Sequence, residues 1–187
     1  MQRLPELAPE QMTADQKHVH DMIVAGPRGR VQGPLAVWLR RPELAARAQA
    51  LGEYCRYGSS LPKRLSELAI MVTARHWEAE FEWYAHRQHA LDAGLPEHVL
   101  EAIRVGQAPG FADAEEQAVY DIATAMSRNR RLGDELYARG LEVLGEGRLI
   151  DLIGVLGYYA LISMTIKAFE VMPPAGTPLA FDEKPTA

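Results

Sequence analysis

Apolar residues recur every three or four positions along most of this chain, and no useful stretch alternates with period two. The pattern predicts helices throughout and one all-α domain over residues 1–187, with bundle-like connections. Thr13 and Gln16 make a capping-box pattern that opens a helix over Val19, Met22 and Ile23. Gly26-Pro27 stops it. The following stretch reads as a loop, with residues 35–39 as a short apolar turn. Pro42 starts a helix carrying Leu44, Ala45, Ala48 and Leu51 on one face, which runs to about Tyr57 before Gly58-Ser59-Ser60 breaks it. Residues 61–95 then read as a pair of helices. Pro62 suits the first turn of one. That helix carries Leu65, Leu68, Ala69 and Val72 and loosens near Arg75-His76. Its mate runs from about Glu78 to Gly94, a natural left-handed C-terminal residue. A short helix over residues 96–105 follows, then helices capped by Asp113 and by Asp134. Gly145 and Gly147 precede a long apolar helix over residues 149–171. Residues 1–11 and 173–187 read as extended termini, the second strapped over a neighbouring surface or frayed.

The last apolar run is about long enough to cross a bilayer. Asp151 and Lys167 lie inside it, however, and charges within a span are costly. A helix apolar on most faces also suits the centre of an oligomeric helical protein, so no membrane is expected. Composition agrees, with 48% hydrophobic and 24% charged residues, as in ordinary soluble domains. A net charge of −5 gives no basic surface for nucleic acid. Cys55 is the single cysteine, so no disulfide forms within the chain and a reducing, cytoplasmic setting is expected. The first eleven residues contain no apolar signal-peptide core.

Candidate chemistry gathers on the helix pair. Glu67 sits among Leu68, Ile70, Met71 and Val72 on the first helix. Glu82 and His86, four apart, share one face of the second, with Trp83 beside them. Two carboxylates and an imidazole drawn together in an apolar setting shift one another's pKa values, the raw material of acid–base chemistry. Plainer readings stand beside this one. Arg64 and Glu67 have the spacing of an intrahelical ion pair, Glu82 and His86 that of a surface pair, and Trp83 is by default a packing residue. Arg28, Arg30, Arg40 and Arg41 surround the apolar insert, either as solvated loop charge or as an anion-facing flap over a pocket.

No metal is expected. Carboxylate sites in bundle cores use Glu-x-x-His, and the residue three before His86 is Trp83. His76, His86 and His89 do not have the two-histidine zinc spacing. Cys55 stands alone on another helix and reads as structural. There is no Gly-rich phosphate loop and no nucleophile-elbow serine.

The run RLSELAIMVTARHWEAEFEWYAHRQHALDAGLP resembles the core of the carboxymuconolactone decarboxylase family, which shares its fold with the alkylhydroperoxidase D-like proteins. GPLAVWLRRPELA resembles the family segment before that core, and LGYYALISMTIKAFEV its closing helix. The resemblance implies an alkylhydroperoxidase D-like helical domain with a central antiparallel helix pair, assembled as a dimer, trimer or hexamer. The family's peroxidase branch carries a Glu, a Cys-x-x-Cys and a His four residues beyond. Here those positions hold Glu67, then Ala79 and Glu82, then His86, so the redox pair is absent and peroxidase activity is not expected. The implied chemistry is that of a cofactor-free lyase in aromatic compound catabolism, acting on a small lactone or carboxylate. In this reading His86 delivers a proton, Glu82 orients it, and Glu67 is a second acid/base or a proton relay. Arg64 and Arg28 hold the substrate carboxylate, while Trp38 and Trp83 form apolar walls. Close relatives tend to have Asn where this chain has Lys167, which bears on the substrate if that position faces the pocket. The competing expectations are a non-catalytic ligand-binding or structural oligomer of the same fold, or a divergent alkylhydroperoxidase-like protein without thiol redox activity.

Overall fold

The computed structural model describes residues 3–181 and contains eight α-helices, with no strand among the described residues. They are α1 (Ala14–Ala25), α2 (Pro34–Trp38), α3 (Pro42–Glu53), α4 (Lys63–Trp77), α5 (Glu80–Asp92), α6 (Glu97–Arg104), α7 (Ala114–Asn129) and α8 (Asp134–Phe169). The central element is α4. Every residue from Leu65 to Ala74 is buried, because the helix is wrapped by α5, α6, α7 and α8. A helix that is apolar nearly all round belongs at such a centre. Glu67 is carried into the interior with it, 2% exposed.

The ends of the elements follow local chemistry. The Thr13 hydroxyl accepts from the Gln16 backbone N–H while the Gln16 side chain accepts from the Thr13 N–H, closing the predicted capping box. Asp113 likewise accepts from the Glu116 N–H. Gly133, rather than Asp134, stands at the N-cap of α8. Between α4 and α5 the chain turns on Glu78, which takes left-handed φ of 49°. The long last helix is interrupted at Gly145, where φ is 77° and ψ 165°, at the break the glycines predict. Asp134–Phe169 is long and apolar enough to cross a membrane, yet 61% of its most apolar window is buried against the rest of the chain. It is a core helix.

Three differences from the sequence reading bear on the site. Residues 35–39 are not merely a turn: α2 is helical and wholly buried, its five residues packed into the core. The helical run from Pro42 does reach Tyr57, but it is an α-helix only to Glu53 and a π-helical turn over Tyr54–Gly58. Asp151 of α8 holds that turn. Its carboxylate accepts from the Tyr54 hydroxyl at 2.7 Å and from the Ser60 N–H and hydroxyl at 2.7 and 2.6 Å. Residues 9–11, expected to be extended, form one 3-10 turn.

The C-terminal segment is strapped down as far as it is described. Buried Glu80 accepts from the backbone N–H groups of Ala180 and Phe181, each at 2.7 Å. Arg104 donates to the Ala180 carbonyl at 2.7 Å, and the Phe181 ring meets Trp83 edge-on at 5.2 Å.

Candidate functional site

Glu67 lies in the second turn of α4, and His86 lies on the face of α5 turned toward it. His86 Nδ1 is 2.7 Å from Glu67 Oε2, and His86 Nε2 is 3.1 Å from Glu82 Oε1. The Tyr159 hydroxyl of α8 stands 3.4 Å from the same Nε2. All four side chains are buried, so three helices converge on one imidazole. Burial by itself pulls the His86 pKa down. The Glu82 charge and the hydrogen bonds to Glu67 and Glu82 outweigh it and lift the value to about 9. At neutral pH the ring is therefore an imidazolium held between two acids.

One side of this group opens on a cavity of about 290 Å³. Glu82, His86, His89 and Tyr159 form its floor, while Arg28, Arg30 and Arg56 bring three guanidiniums from two other segments. Leu35, Phe81 and Ile162 supply apolar wall. Arg28 donates to the Tyr158 hydroxyl at 3.2 Å, and its buried Nε has no partner among the described residues. The close approach is made possible by Gly52, since a Cβ there would collide with the Tyr158 hydroxyl and crowd Arg28 Nη2 at 2.6 Å. Burial pushes the Tyr158 hydroxyl up to about 12 and that of Tyr159 well above the usual range, so both remain neutral donors. Burial also lowers the pKa of His89, and the Arg56 charge adds to this. His86 and His89 therefore meet the cavity in different charge states, 5.8 Å apart ring to ring.

Of the residues singled out in the sequence, Glu82, His86 and Arg28 line this cavity, and Glu67 supports it from behind. Three others do not line it. Arg64 pairs with Glu116 of α7 and donates to the Gly94 carbonyl, so it makes neither the predicted bond to Glu67 nor contact with the cavity. Trp83 points away from His86, as positions three apart need not share a cavity, and packs on Phe181. Trp38 sits one layer behind, donating its indole N–H to Thr165 at 3.0 Å and meeting Tyr158 edge-on. The four-arginine flap divides: Arg28 and Arg30 face the cavity, whereas Arg40 donates to the Pro5 carbonyl and Arg41 is exposed. Lys167 is not on the wall, and its ammonium reaches the Glu78 carbonyl at 3.5 Å.

Sequence reasoning missed Arg56, Tyr158 and Tyr159 and gave His89 no part in the site. His89 was within reach of the spacing argument, one helical turn beyond His86. Arg56 was not, because the π turn that aims it depends on Asp151, nearly a hundred positions away in the chain. Cys55 is buried and free, and burial raises its thiol pKa, with the Asp151 charge adding to the effect. Among the described residues no group of three or more His, Cys, Asp and Glu side chains is arranged to hold a metal ion.

Residues 42–125 match the Carboxymuconolactone decarboxylase family. The match covers less than half of the chain. The matched segment runs from α3 into α7 and contains Glu67, Glu82 and His86, while Arg28, Tyr158 and Tyr159 come from outside it. An uncharacterized peroxidase-related protein from Silicibacter sp. TM1040 has a similar structure, with a TM-score of 0.71 over 93% of this chain and 92% of that one. The two are 19% identical, so the likeness is one of fold, the alkylhydroperoxidase D-like arrangement. No curated protein matches the chain.

Proposed function

We propose that this protein is a cofactor-independent carboxy-lyase that removes CO2 from a small lactone or related carboxylate by acid–base catalysis. The observation that carries the reading is an imidazole bonded through both ring nitrogens to buried carboxylates, at the wall of a cavity that three arginines face. The family of residues 42–125 supports the reaction class.

Loss of CO2 needs a held carboxylate, an acceptor for the released electron pair, and a proton for the resulting carbanion. Three guanidiniums and one imidazolium face two carboxylates here, an excess of positive charge that suits a substrate bearing more than one carboxylate. The carbon–carboxylate bond breaks, CO2 leaves, and the electron pair passes into the conjugated carbonyl of the substrate to give a dienolate. His86 then gives its Nε2 proton to the dienolate carbon and stays bonded to Glu67 through Nδ1. Glu82, beside Nε2 and on the cavity wall, returns a proton from solvent. The neutral Tyr159 hydroxyl is suited to donate toward the developing oxyanion. Leu35, Phe81 and Ile162 take the part of apolar wall that the tryptophans were expected to play. The reading is supported by the lack of a dithiol pair within the chain, since Cys55 is its single cysteine and the family's two thiol positions hold Ala79 and Glu82.

The test is CO2 release from 4-carboxymuconolactone and, separately, from a lactone bearing one carboxylate. Turnover in D2O should leave one deuterium on the product carbon that receives the proton. His86→Gln should lower the rate by about 10²–10⁴-fold. Saturable binding of these compounds with no CO2 released would point instead to a ligand-binding role.

A further inference from the structure

A second cavity, of about 240 Å³, lies between the C-terminal end of α4, the turn after α6, and α7. It shares no lining residue with the His86 cavity. Val72 and Ile103 form an apolar floor, while Arg75, His76, Tyr120 and Arg128 bring polar groups to its walls.

Arg75 is fixed on three sides. Its Nη1 lies 3.2 Å from Glu78, its guanidinium carbon stands 5.4 Å from the centre of the Phe181 ring, and Gly106 backs onto Nη2. Gly106 has φ of +77°, and a Cβ there would stand 3.2 Å from that nitrogen. Arg75 Nε is nevertheless buried with no hydrogen-bond partner among the described residues. A buried donor left unpaired is costly, so a group held this firmly with one donor unused points to an acceptor from outside the chain. Arg128 makes no ion pair among the described residues. No carboxylate is among the described residues that line the cavity, and Glu78, off its wall, pairs with Arg75.

We propose that this cavity is a second anion-binding site, which takes one small oxyanion, a carboxylate or a phosphate group, between Arg75 and Arg128. The ligand oxygens would satisfy Arg75 Nε and neutralise the surplus charge, and the apolar floor would take a short carbon stem. Nothing in the proposed lyase reaction calls on this site, so it stands or falls separately.

His76 supplies the readout. Burial lowers its pKa, and the neighbouring Arg128 and Arg75 charges lower it further. An anion bound between those arginines reverses the electrostatic part and moves the pKa up. The experiment follows the His76 ring signals by NMR while the full chain is titrated with inorganic phosphate and, separately, with acetate. Saturable shifts at His76 with an upward pKa are expected for at least one probe. Phosphate alone saturating would identify a phosphate-bearing ligand, and acetate alone a carboxylate. Arg128→Ala, an exposed position that should leave the fold intact, should weaken binding about tenfold or more, and Arg75→Lys should weaken it as well. Arg56→Ala in the other cavity should leave it unchanged. Shifts that never saturate with either probe, that survive Arg128→Ala, or that vanish with Arg56→Ala would overturn the assignment.

Discussion

Glu67 Oε2 and His86 Nδ1 are 2.7 Å apart, and this one contact joins the second turn of the central helix, α4, to the wall of the cavity that His86 lines. It fixes which way the imidazole turns. With Nδ1 committed to Glu67, the remaining nitrogen is the one presented to Glu82, Tyr159 and the cavity.

Protein stability should fall on the alkaline side because of this arrangement. The His86 pKa is about 9 in the folded chain against an ordinary 6.5, so the native state holds its proton more tightly than the unfolded state. The stabilisation is complete below about pH 6.5 and is lost as pH rises through 9. Urea midpoints measured between pH 6 and 10 should decline across that window in the wild type. His86→Gln should flatten the decline, and an unchanged slope in that variant would assign it to other groups.

Removing the imidazole altogether should be costly. His86→Ala leaves Glu67 and Glu82 buried without their cation, and breaking a buried pair costs about 3–5 kcal/mol. The double variant Glu67→Gln/His86→Ala should recover part of that loss in a thermal melt. If it melts lower than His86→Ala alone, the two side chains are not coupled as described.

Arginine substitutions should divide by location. Arg56→Ala and Arg28→Ala should raise KM for an anionic substrate about tenfold or more while the protein stays folded. Arg64→Ala should leave KM alone and lower stability by about 1–3 kcal/mol, since buried Glu116 then loses its partner. Steady-state kinetics beside a denaturation curve for each variant separates the two outcomes.

The π turn should matter to the cavity through Asp151. Asp151→Asn replaces a carboxylate that accepts three hydrogen bonds with an amide that cannot accept them all, which should loosen Tyr54–Gly58 and cost about 2 kcal/mol. Because Arg56 and Tyr57 ride on that turn, KM should rise more than kcat falls. Gly52→Ala should act on the same wall from the other side by driving Tyr158 and Arg28 apart, again read in KM.

Association is the remaining expectation. Ile150, Ile153, Leu161 and Met164 are exposed apolar residues along one helix, and Gly154 and Gly157 leave open space between them. Such a face suits a second copy of the chain. Light scattering should return a multiple of 20.8 kDa, and a mass of 20.8 kDa at every working concentration would count against self-association.

The all-helical architecture was readable from periodicity and caps, because local rules decide them: Thr13, Asp113, Gly94 and Gly145 act within a few residues of themselves. The grouping of Glu67, Glu82 and His86 was readable in part, since helical spacing set Glu82 beside His86 and the family resemblance set Glu67 with them. Side-chain direction was less so. Trp83 and Arg64 sit on the expected helices yet turn to Phe181 and Glu116, partners set by tertiary packing. Arg56 owes its place to a distant aspartate, and Tyr159 to the way α8 crosses α5. No window of sequence contains either relationship.

Glu80 opens α5, yet the backbone groups that satisfy its carboxylate are made a hundred residues later. At a synthesis rate of roughly 5–20 residues per second, the ribosome needs about 5–20 s to cover that distance. During that interval the nascent helix pair carries an acid facing the interior without its donors. The Glu80 carboxylate therefore gains these two donors only once residues 180 and 181 have been made, although it stands at the very start of α5.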